Sequence, residues 1–538
     1  MKQVLLNSLY RIDSKDKSST DNKVHTINLV FAIKNSGYFA MLPENLDLEA
    51  YIERYPLTDY KFRRIGDKIK SFNDYGTFGS YFDPEGLIHL IDLLSLIPSR
   101  NKDSITEDGF VSINAKYIRD YFKDYLCYLD YLVDTDILIR DNHYIQGEKS
   151  IGYKLASQYE ASKFVKYEYK RFRGQLPQVI PLKRFMNSEA NPLLSCPYLV
   201  YWYNQKKLAI DKQNAEDYAY SLMQEKLRLG RDSWDKNKDK WDDSRNDFCR
   251  KHPRTQYSAI IRNINNLATH DYNTMIDSNV HRLHSVITNM QKDYRNFLSY
   301  DEGQPLVSID LKNSQPYLSC ILFNPDFWDD NSTSPLRLNQ QPENTRNSIE
   351  ETAIKSSLND FFYNLNGDEF DRYKRIVSSG ELYETIIGWI QEERSETVSR
   401  DDVKTIIFKL FFSSNRENRN DNNHWLMVYF REKFPEVSAV FRMIKVQYRE
   451  LNEEKQYGRL ARLLQSIESE IILHRCCKRI WEEKPHQVPV FTIHDSIATT
   501  VEHLGYVKGV MDEVLTQCIG ISPSLSEEYW RPSNLVLG

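Results

Sequence analysis

Two short apolar runs that each end on an aspartate constrain this sequence more than any other feature. The first, LVSID, ends on Asp310, and the second, VPVFTIHD, reaches Asp495 much later in the chain. Runs of apolar and β-branched residues of this length are typical of buried strands. A charge flanked by such strands needs a metal ion or a partner, because burying it alone is costly. We predict a strand that presents Asp310 to a cleft and a hairpin with Asp495 near its tip.

Each aspartate also has an ordinary interpretation. An Asp after a strand is most often a turn or cap residue, and an Asp at a hairpin tip often stabilises its own turn. The chemical interpretation is a magnesium site, because Mg²⁺ is a hard cation that takes one or two carboxylates plus phosphate oxygens. Two such ions can clamp the attacking and leaving oxygens of a displacement. The aspartates alone leave both interpretations open.

The stretch RDDVKTIIFKLFF, residues 400–412, predicts a helix with one distinctive face. Residues four apart share a side of a helix. They are here Arg400, Lys404, Phe408 and Phe412. Two cations followed by two aromatic rings suit a triphosphate and its base, although ordinary amphipathic helices carry similar mixtures. A second helix is predicted over residues 463–480, with Gln465 near its start. Taken by itself, this segment is typical of an ordinary core helix.

Composition places the chain among globular proteins. It has 538 residues, 41% of them apolar and 27% charged, which suggests roughly two to four domains. No apolar run approaches the ~20 residues that span a bilayer, and the first residues lack a signal-peptide pattern. Seven scattered cysteines without zinc spacing fit a reducing compartment. We therefore expect a cytoplasmic protein with no membrane partner.

Charge gives a mixed indication about nucleic acid. The net charge of −5 argues mildly against a nucleic-acid partner. The stretch KFVKYEYKRFR, residues 163–173, is locally basic and aromatic. It suits either a nucleic-acid contact or a solvated surface, and the sequence leaves both open.

The N-terminal half carries weaker signals. Asp47 and Glu49 form the Asp-x-Glu pattern of proofreading exonucleases, but their context favours a capped helix start. Residues 104–156 predict a strand, two helices and a hairpin with turn residues at Gly147–Ser150. That order resembles a winged helix-turn-helix, used either to read a major groove or to pack against protein. Residues 200–268 predict a charged helical region, either a thumb or a linker.

Three of these segments resemble the palm and fingers of the family A DNA polymerases. The strand that ends on Asp310 resembles motif A, the helix over 400–412 resembles motif B, and the hairpin with His494 and Asp495 resembles motif C. The three occur in the family's order. The resemblance implies two catalytic Mg²⁺ ions held by Asp310 and Asp495, with Mn²⁺ as a possible substitute.

Two further segments extend the resemblance, which in total covers 281–500, well under half of the chain. The helix that carries Gln465 and Glu470 is similar to the family's Gln helix, and HRLHSVITN is similar to the segment before motif A. The resemblance implies that Arg282, Gln465 and His494 contact a DNA primer–template. It also implies that a triphosphate is held by the following residues, with Lys404 neutralising charge at the leaving group: Arg400, Lys404, Phe408, Phe412 and Tyr317.

Three of the departures from the family pattern concern the candidate site. Tyr317 stands where a glutamate that excludes ribonucleotides would follow, so it either discriminates sugars or packs under the strand. Phe412 replaces the family's tyrosine. Ser496 follows the His-Asp pair, as in the single-subunit phage-type RNA polymerases, whereas many DNA polymerases have glutamate there.

These observations predict an α+β fold: a right-hand polymerase with an antiparallel palm sheet, helical fingers and thumb, and a winged-helix-like N-terminal region. The predicted divisions are 1–100, 101–160, 161–270 and 271–538. The expected partners are DNA primer–template, nucleoside triphosphates and a possible accessory protein. Competing interpretations are a phage-type RNA polymerase or primase, a template-independent polymerase, and a non-catalytic winged-helix DNA-binding protein.

Overall fold

The computed structural model describes most of the chain after its first 38 residues. The described residues are 39–56, 61–64, 68–71, 84–119, 122, 125–141, 144, 150–169, 195–242, 245, 247–350, 352–363, 367–415, 424–447 and 456–535. They form a mixture of helices and antiparallel sheets, which confirms the α+β class. The division into palm, fingers and thumb stays a prediction.

The strands follow one another along the whole described chain. They are β1 (Phe39–Pro43), β2 (Lys61–Arg64), β3 (Lys68–Ser71), β4 (Val111–Ser112), β5 (Leu138–Arg140), β6 (Gly152–Leu155), β7 (Phe164–Glu168), β8 (Leu208–Ile210), β9 (Lys236–Asp242), β10 (Asp247–Arg250), β11 (Met275–Ile276), β12 (Leu283–His284), β13 (Leu298–Tyr300), β14 (Gln304–Leu311), β15 (Phe491–Ile493), β16 (Ser496–Thr500) and β17 (Leu525–Tyr529).

The helices between them are mostly short. They are α1 (Leu48–Arg54), α2 (Pro84–Arg100), α3 (Ala115–Arg119), α4 (Tyr125–Asp134), α5 (Pro197–Asn204), α6 (Lys212–Leu229), α7 (Pro253–Ala268), α8 (Val286–Asn289), α9 (Ser314–Leu318), α10 (Pro325–Trp328), α11 (Glu343–Glu350), α12 (Ile354–Tyr363), α13 (Asp368–Ser379), α14 (Leu382–Arg394), α15 (Arg400–Phe412), α16 (His424–Lys433), α17 (Pro435–Ile444), α18 (Arg459–Glu468), α19 (Lys478–Glu483) and α20 (Leu504–Ile519). A π-helix, Ser469–Cys477, joins α18 to α19.

A six-stranded antiparallel sheet forms the centre of the C-terminal half. Strand β14 lies between β16 and β17, and its first residues pair with β13. Strand β15 extends the sheet beyond β16, and β8 extends it beyond β13. Leu306, Val307 and Ile309 of β14 are fully buried. The apolar run that precedes Asp310 is therefore the central strand of this sheet.

Helices and aromatic side chains cover this sheet. The π-helix packs against α20 and α5, and α20 packs on β14 and β16. On α5, Tyr203 meets Phe491 of β15 edge-on, with ring centroids 5.2 Å apart. Cys476 and Cys477 are buried in this layer.

The N-terminal half is built around a buried ion pair between two packed helices. Asp92 of α2 and Arg262 of α7 form a salt bridge whose side chains are only 2–3% exposed. The Asp92 carboxylate also accepts a hydrogen bond from the backbone N–H of Met41 at 2.8 Å. This carboxylate therefore joins α2, α7 and β1.

We expect Asp92→Ala to lower the free energy of unfolding by about 3–5 kcal/mol, because it leaves the Arg262 guanidinium buried without its partner. Urea denaturation of the purified variant measures the loss. The matched control is Glu482→Ala, whose exposed pair with Lys478 has an N–O distance of 3.8 Å and should contribute less than about 1 kcal/mol. Equal losses in both variants would contradict a structural role for the buried pair.

Strand pairing crosses the predicted domain boundaries. Strand β1 pairs with β7, which joins residues before 100 to residues after 160. Strand β8 precedes 270 but belongs to the six-stranded sheet. The predicted ranges therefore share sheets, and their separate roles stay predictions.

Residues 200–268 are less helical than predicted. Strand β8 and the β9–β10 hairpin interrupt them. Helix α7 is buried from Pro253 to Leu267. A thumb helix must present a surface to nucleic acid, so α7 does not fit that predicted role.

The region predicted as a winged helix has its elements in the predicted order. Strand β4, helices α3 and α4, and strands β5 and β6 follow one another, and the strands form a sheet in the order β4–β6–β5. The predicted turn at Gly147–Ser150 lies outside the described residues except for Ser150, and so do 170–173 of the basic stretch. A DNA-reading role stays a prediction.

Two other predictions for this half can be compared directly with the structure. Asp47 caps α1 by accepting a hydrogen bond from the backbone N–H of Ala50 at 3.0 Å, which confirms the capped helix start. Within the described residues, every helix is too short or too polar to cross a membrane.

Candidate functional site

The sheet places Asp310 and Asp495 next to each other. Asp310 is the penultimate residue of β14 and lies opposite Ser496 in the antiparallel register with β16. Asp495 immediately precedes Ser496, in the tight turn between β15 and β16. This turn is made possible by His494, whose φ of +54° is left-handed. The predicted strand end and the predicted hairpin tip therefore meet at the same end of the strands of this sheet.

The two carboxylates are in an electrostatically unfavourable environment. Burial raises the pKa of Asp310, and the nearby charge of Glu528 raises it further. Burial also raises the pKa of Asp495, and the charge of Asp310 is the next largest cause. Raised pKa values of this origin mean that two like charges lie close together with little water. A bound cation would relieve this repulsion.

The donor set fits one class of metal site better than another. Among the described residues, no group of three or more His, Cys, Asp or Glu side chains is arranged to hold an ion. Closed structural zinc sites take four ligands, mostly cysteine and histidine. Magnesium sites in phosphoryl-transfer proteins need only one or two carboxylates, because substrate phosphates and water complete the coordination. Asp310 and Asp495 fit that class.

Cationic and acidic neighbours that the sequence did not reveal surround the pair. Arg295 is close enough for the charges of Asp310, Glu528 and Asp495 to act on it, although burial lowers its pKa. Glu528 of β17 lies opposite Ser308 and forms a salt bridge with Lys292 at 2.9 Å. The sequence signal for Glu528 was a carboxylate in the segment LSEEYW, most of which forms β17.

Helix α15 carries the predicted cationic and aromatic face. Ser399 caps it, and the Ser399 and Asp402 side chains form a reciprocal capping box. The rings of Phe408 and Phe412 stack with centroids 5.4 Å apart, and Lys404 Nζ lies 5.9 Å from the centre of the Phe408 ring. Phe408 is 40% exposed. The face is therefore open enough to receive a flat group.

Tyr383 links this helix to the carboxylates. The Arg400 guanidinium lies 4.9 Å from the centre of the Tyr383 ring and pairs with Glu384 at 2.7 Å. Burial raises the pKa of Tyr383 to about 12, and the charge of Asp495 is among the smaller causes. Tyr383 therefore lies against Arg400 at the start of α15 and within electrostatic range of Asp495. Arg400 is held by Glu384, so a bound phosphate would have to compete with that carboxylate.

Arg282 lies near His494 and Asp495 in the structure, while the contact of Arg282 and His494 with a primer–template stays a prediction. Burial lowers the pKa of His494 to about 3, and the charge of Arg282 is the next cause. The ring is therefore neutral at physiological pH, and its Nδ1 has no partner among the described residues. The Arg282 charge acts on Asp495 as well.

The side chain of Arg282 is held by a residue that the sequence did not single out. Its Nη2 donates to the Glu468 carboxylate at 2.5 Å, and Gln315 Nε2 donates to the other oxygen of that carboxylate at 2.6 Å. Gln465 lies one turn before Glu468 on α18 and is half-buried. The helix predicted to carry Gln465 and Glu470 therefore reaches the site through Glu468.

Tyr317 does not lie where a sugar-contacting residue would. Its side chain is fully buried, and its hydroxyl donates to the backbone carbonyl of Ile521 at 2.6 Å. Helix α9 turns the ring into the core behind β14. This placement fits the packing interpretation of Tyr317, and a role in nucleotide binding stays a prediction.

Comparisons with known proteins add little. No family model matches the chain, and no curated protein matches it. Among solved structures, the POL domain of Pol1 from M. smegmatis, in complex with DNA primer-template and dNTP, is similar over 64% of this chain and 72% of that chain. The sequence identity is 13% and the TM-score is 0.29. At that identity and score, the likeness shows no function for this chain.

Proposed function

We propose that this protein is a template-directed nucleotidyltransferase, namely a DNA polymerase that extends a primer 3′-hydroxyl. The observation that carries this proposal is that Asp310 and Asp495 meet at the same end of the strands of the sheet. Burial and neighbouring charges raise the pKa of both. Such a pair suits two divalent cations that clamp the oxygens of a phosphoryl transfer. Asp310 and Asp495 would hold Mg²⁺.

The face of α15 supports a triphosphate as the substrate. Lys404 and Arg400 supply positive charge, and Phe408 offers an exposed ring one helical turn beyond Lys404. Cations neutralise the charge that develops on the leaving phosphates, and an aromatic ring stacks on any base. The same face therefore suits both parts of a nucleoside triphosphate.

The cluster on the other side of Asp495 supports a primer end as the second substrate. Arg282 contributes a fixed positive charge, and Nδ1 of the neutral His494 has no hydrogen-bond partner among the described residues. Both groups can hydrogen-bond a sugar or base edge. They would orient the terminal hydroxyl toward the triphosphate, and such positioning supplies a large part of the rate enhancement in reactions of this kind.

The proposed reaction needs only the primer end, the nucleoside triphosphate and water as reactants. The 3′-oxygen forms a bond to the α-phosphorus, the bond from that phosphorus to the bridging oxygen breaks, and pyrophosphate leaves. The hydroxyl proton passes to water. Bound Mg²⁺ ions would supply activation of the hydroxyl and stabilisation of the leaving group. The protein's own residues bind, orient and neutralise.

Primer extension tests this proposal. A labelled primer annealed to DNA and to RNA templates is incubated with Mg²⁺ and either dNTPs or NTPs. Extension that follows the template sequence supports the proposal, and the nucleotide accepted identifies a DNA or RNA polymerase. Extension that ignores the template indicates a terminal transferase. Tight duplex binding without incorporation of either nucleotide would instead support a non-catalytic DNA-binding protein.

Tyr317→Phe should lower the free energy of unfolding by about 1 kcal/mol and leave the choice between dNTP and NTP unchanged. The reason is that the Tyr317 hydroxyl bonds Ile521 inside the core, and one such hydrogen bond contributes about that much. Thermal denaturation and competition between the two nucleotides measure these effects. The control is Tyr363→Phe, at a tyrosine that is 91% exposed. A changed sugar preference in Tyr317→Phe alone would restore the gate interpretation.

A further inference from the structure

Glu468 is a fully buried carboxylate at a change in helix geometry. It is the last residue of α18, and the π-helix Ser469–Cys477 begins directly after it. Its side chain is 3% exposed. π-Helical segments are rare and often mark functional sites, because they redirect side chains out of the α-helical register.

The partners of Glu468 come from two distant segments of the candidate site. Gln315 lies on α9, four residues after β14, and Arg282 immediately precedes β12. In sequence, Glu468 is separated from them by 153 and 186 positions. One carboxylate therefore connects the segment before β12, helix α9 after the Asp310 strand, and α18.

This arrangement fixes the position of the Arg282 guanidinium. The backbone N–H of Arg282 donates to Asp277 Oδ2 at 2.9 Å, so the main chain is held from one side. Glu468 holds the Nη2 end of the side chain. Arg282 Nε and Gln315 Oε1 are buried and have no partner among the described residues. The Nε–H of Arg282 and the Oε1 of Gln315 can therefore each form one more hydrogen bond, although Glu468 already holds both side chains.

Stability alone does not account for a carboxylate here. Burial raises the pKa of Glu468 to about 7, although Arg282 opposes the shift. A well-packed apolar residue of similar volume is often as stable as a buried ion pair or more stable. We therefore attribute to this ion pair the role of fixing the positions of the Arg282 and Gln315 side chains.

We propose that Glu468 is a positioning residue that fixes Arg282 and Gln315 beside Asp495 and thereby fixes the place of the primer 3′ end. This inference rests on the proposed nucleotidyl transfer. Glu468 touches neither substrate and acts through Arg282 and Gln315. Its loss should therefore affect the chemical step more than the binding of the triphosphate, which α15 holds independently.

Kinetics of Glu468 variants test the inference. Glu468→Ala should lower kcat about 10- to 100-fold, because a misplacement near 1 Å can cost that much, while the KM for the nucleotide stays within about twofold. Glu468→Gln should restore most of kcat. Its amide can accept from Arg282 and donate to Gln315 Oε1 once the Gln315 amide rotates. Glu468→Met, which fills the same space, replaces the alanine variant should that variant not fold.

Two comparisons separate positioning from other roles. Arg282→Ala and Arg282→Ala/Glu468→Ala should have the same kcat, because residues that act as a unit are not additive. The surface control Glu482→Ala should behave as wild type. A folded Glu468→Ala with wild-type kcat would overturn the inference, and so would a Glu468→Gln as impaired as the alanine variant.

The inference and the proposed function fail in different ways. Failure of the wild type itself to extend any primer would remove the proposed function and this inference with it. Extension by the wild type together with unaffected Glu468 variants would remove only the inference. Anisotropy of a labelled primer–template, measured on every variant, reports binding without requiring catalysis.

Discussion

Asp495→Asn is expected to lose nucleotide incorporation by at least about 10³-fold while the protein stays folded and still binds primer–template. The same result is expected for Asp310→Asn. Each substitution keeps the size of the side chain and removes the charge that would hold a divalent cation. Both aspartates meet at the same end of the sheet's strands, and the proposed cation site needs both carboxylates. Neither aspartate can therefore replace the other as a ligand.

The stability of these variants should move in the opposite direction from their activity. Burial and the charge of Asp310 raise the pKa of Asp495, so the ionised pair opposes folding at neutral pH in the absence of a cation. Asp495→Asn removes one of the two charges. We therefore expect the metal-free variant to be at least as stable as the metal-free wild type in thermal denaturation, with Mg²⁺ stabilising only the wild type.

The control for this prediction is Glu392→Ala, which removes an exposed carboxylate from α14. It should keep both activity and the stabilisation by Mg²⁺. Incorporation by Asp495→Asn and Asp310→Asn at more than a tenth of the wild-type rate would remove these residues from the reaction. The proposal would then lose the observation that carries it.

Local patterns predicted the parts of this site that lie on regular elements. The apolar run before Asp310 required a buried strand, and β14 is that strand. The four-residue spacing of Lys404, Phe408 and Phe412 required one helix face, and the stacked rings lie on it. Each of these inferences needed only the periodicity of a single element.

The interior contacts of the site could not be predicted in this way. Glu468 sits in a helix whose apolar spacing indicates an ordinary core helix, and its partners are 153 and 186 positions away. Tyr317 follows Asp310 by seven positions, but the orientation of α9 directs its ring into the core instead of the cleft. Such contacts depend on tertiary packing, which local periodicity does not record.

The region before the central sheet shows a different failure of local reasoning. The β9 strand, KNKDKWD, is rich in charged residues and poor in the β-branched residues that favour strands. Its pairing with β10 through Asp242 and Asp247 depends on the partner strand. A charged stretch with few breakers therefore suggested helix where the chain forms a hairpin.

Lys404→Ala should lower kcat/KM for the nucleoside triphosphate by about 10²- to 10³-fold and leave the dissociation constant for primer–template within about twofold. Lys404 lies on the face of α15 that carries Phe408, with its Nζ 5.9 Å from the ring centre. A cation at this place would neutralise charge on the leaving phosphates, which grows as the bond to the bridging oxygen breaks. Both kcat and the nucleotide KM should therefore change.

Lys409→Ala is the matched control for Lys404→Ala, because it removes the same charge from the same helix but from a different side. It should change kcat/KM by less than about threefold. Single-nucleotide incorporation at varied triphosphate concentration separates the two variants, and anisotropy measures the primer–template affinity of each. Equal kinetic losses would mean that general charge, and not the Lys404 face, attracts the substrate. A loss in Lys404→Ala confined to primer–template affinity would place this face on nucleic acid instead of the incoming nucleotide.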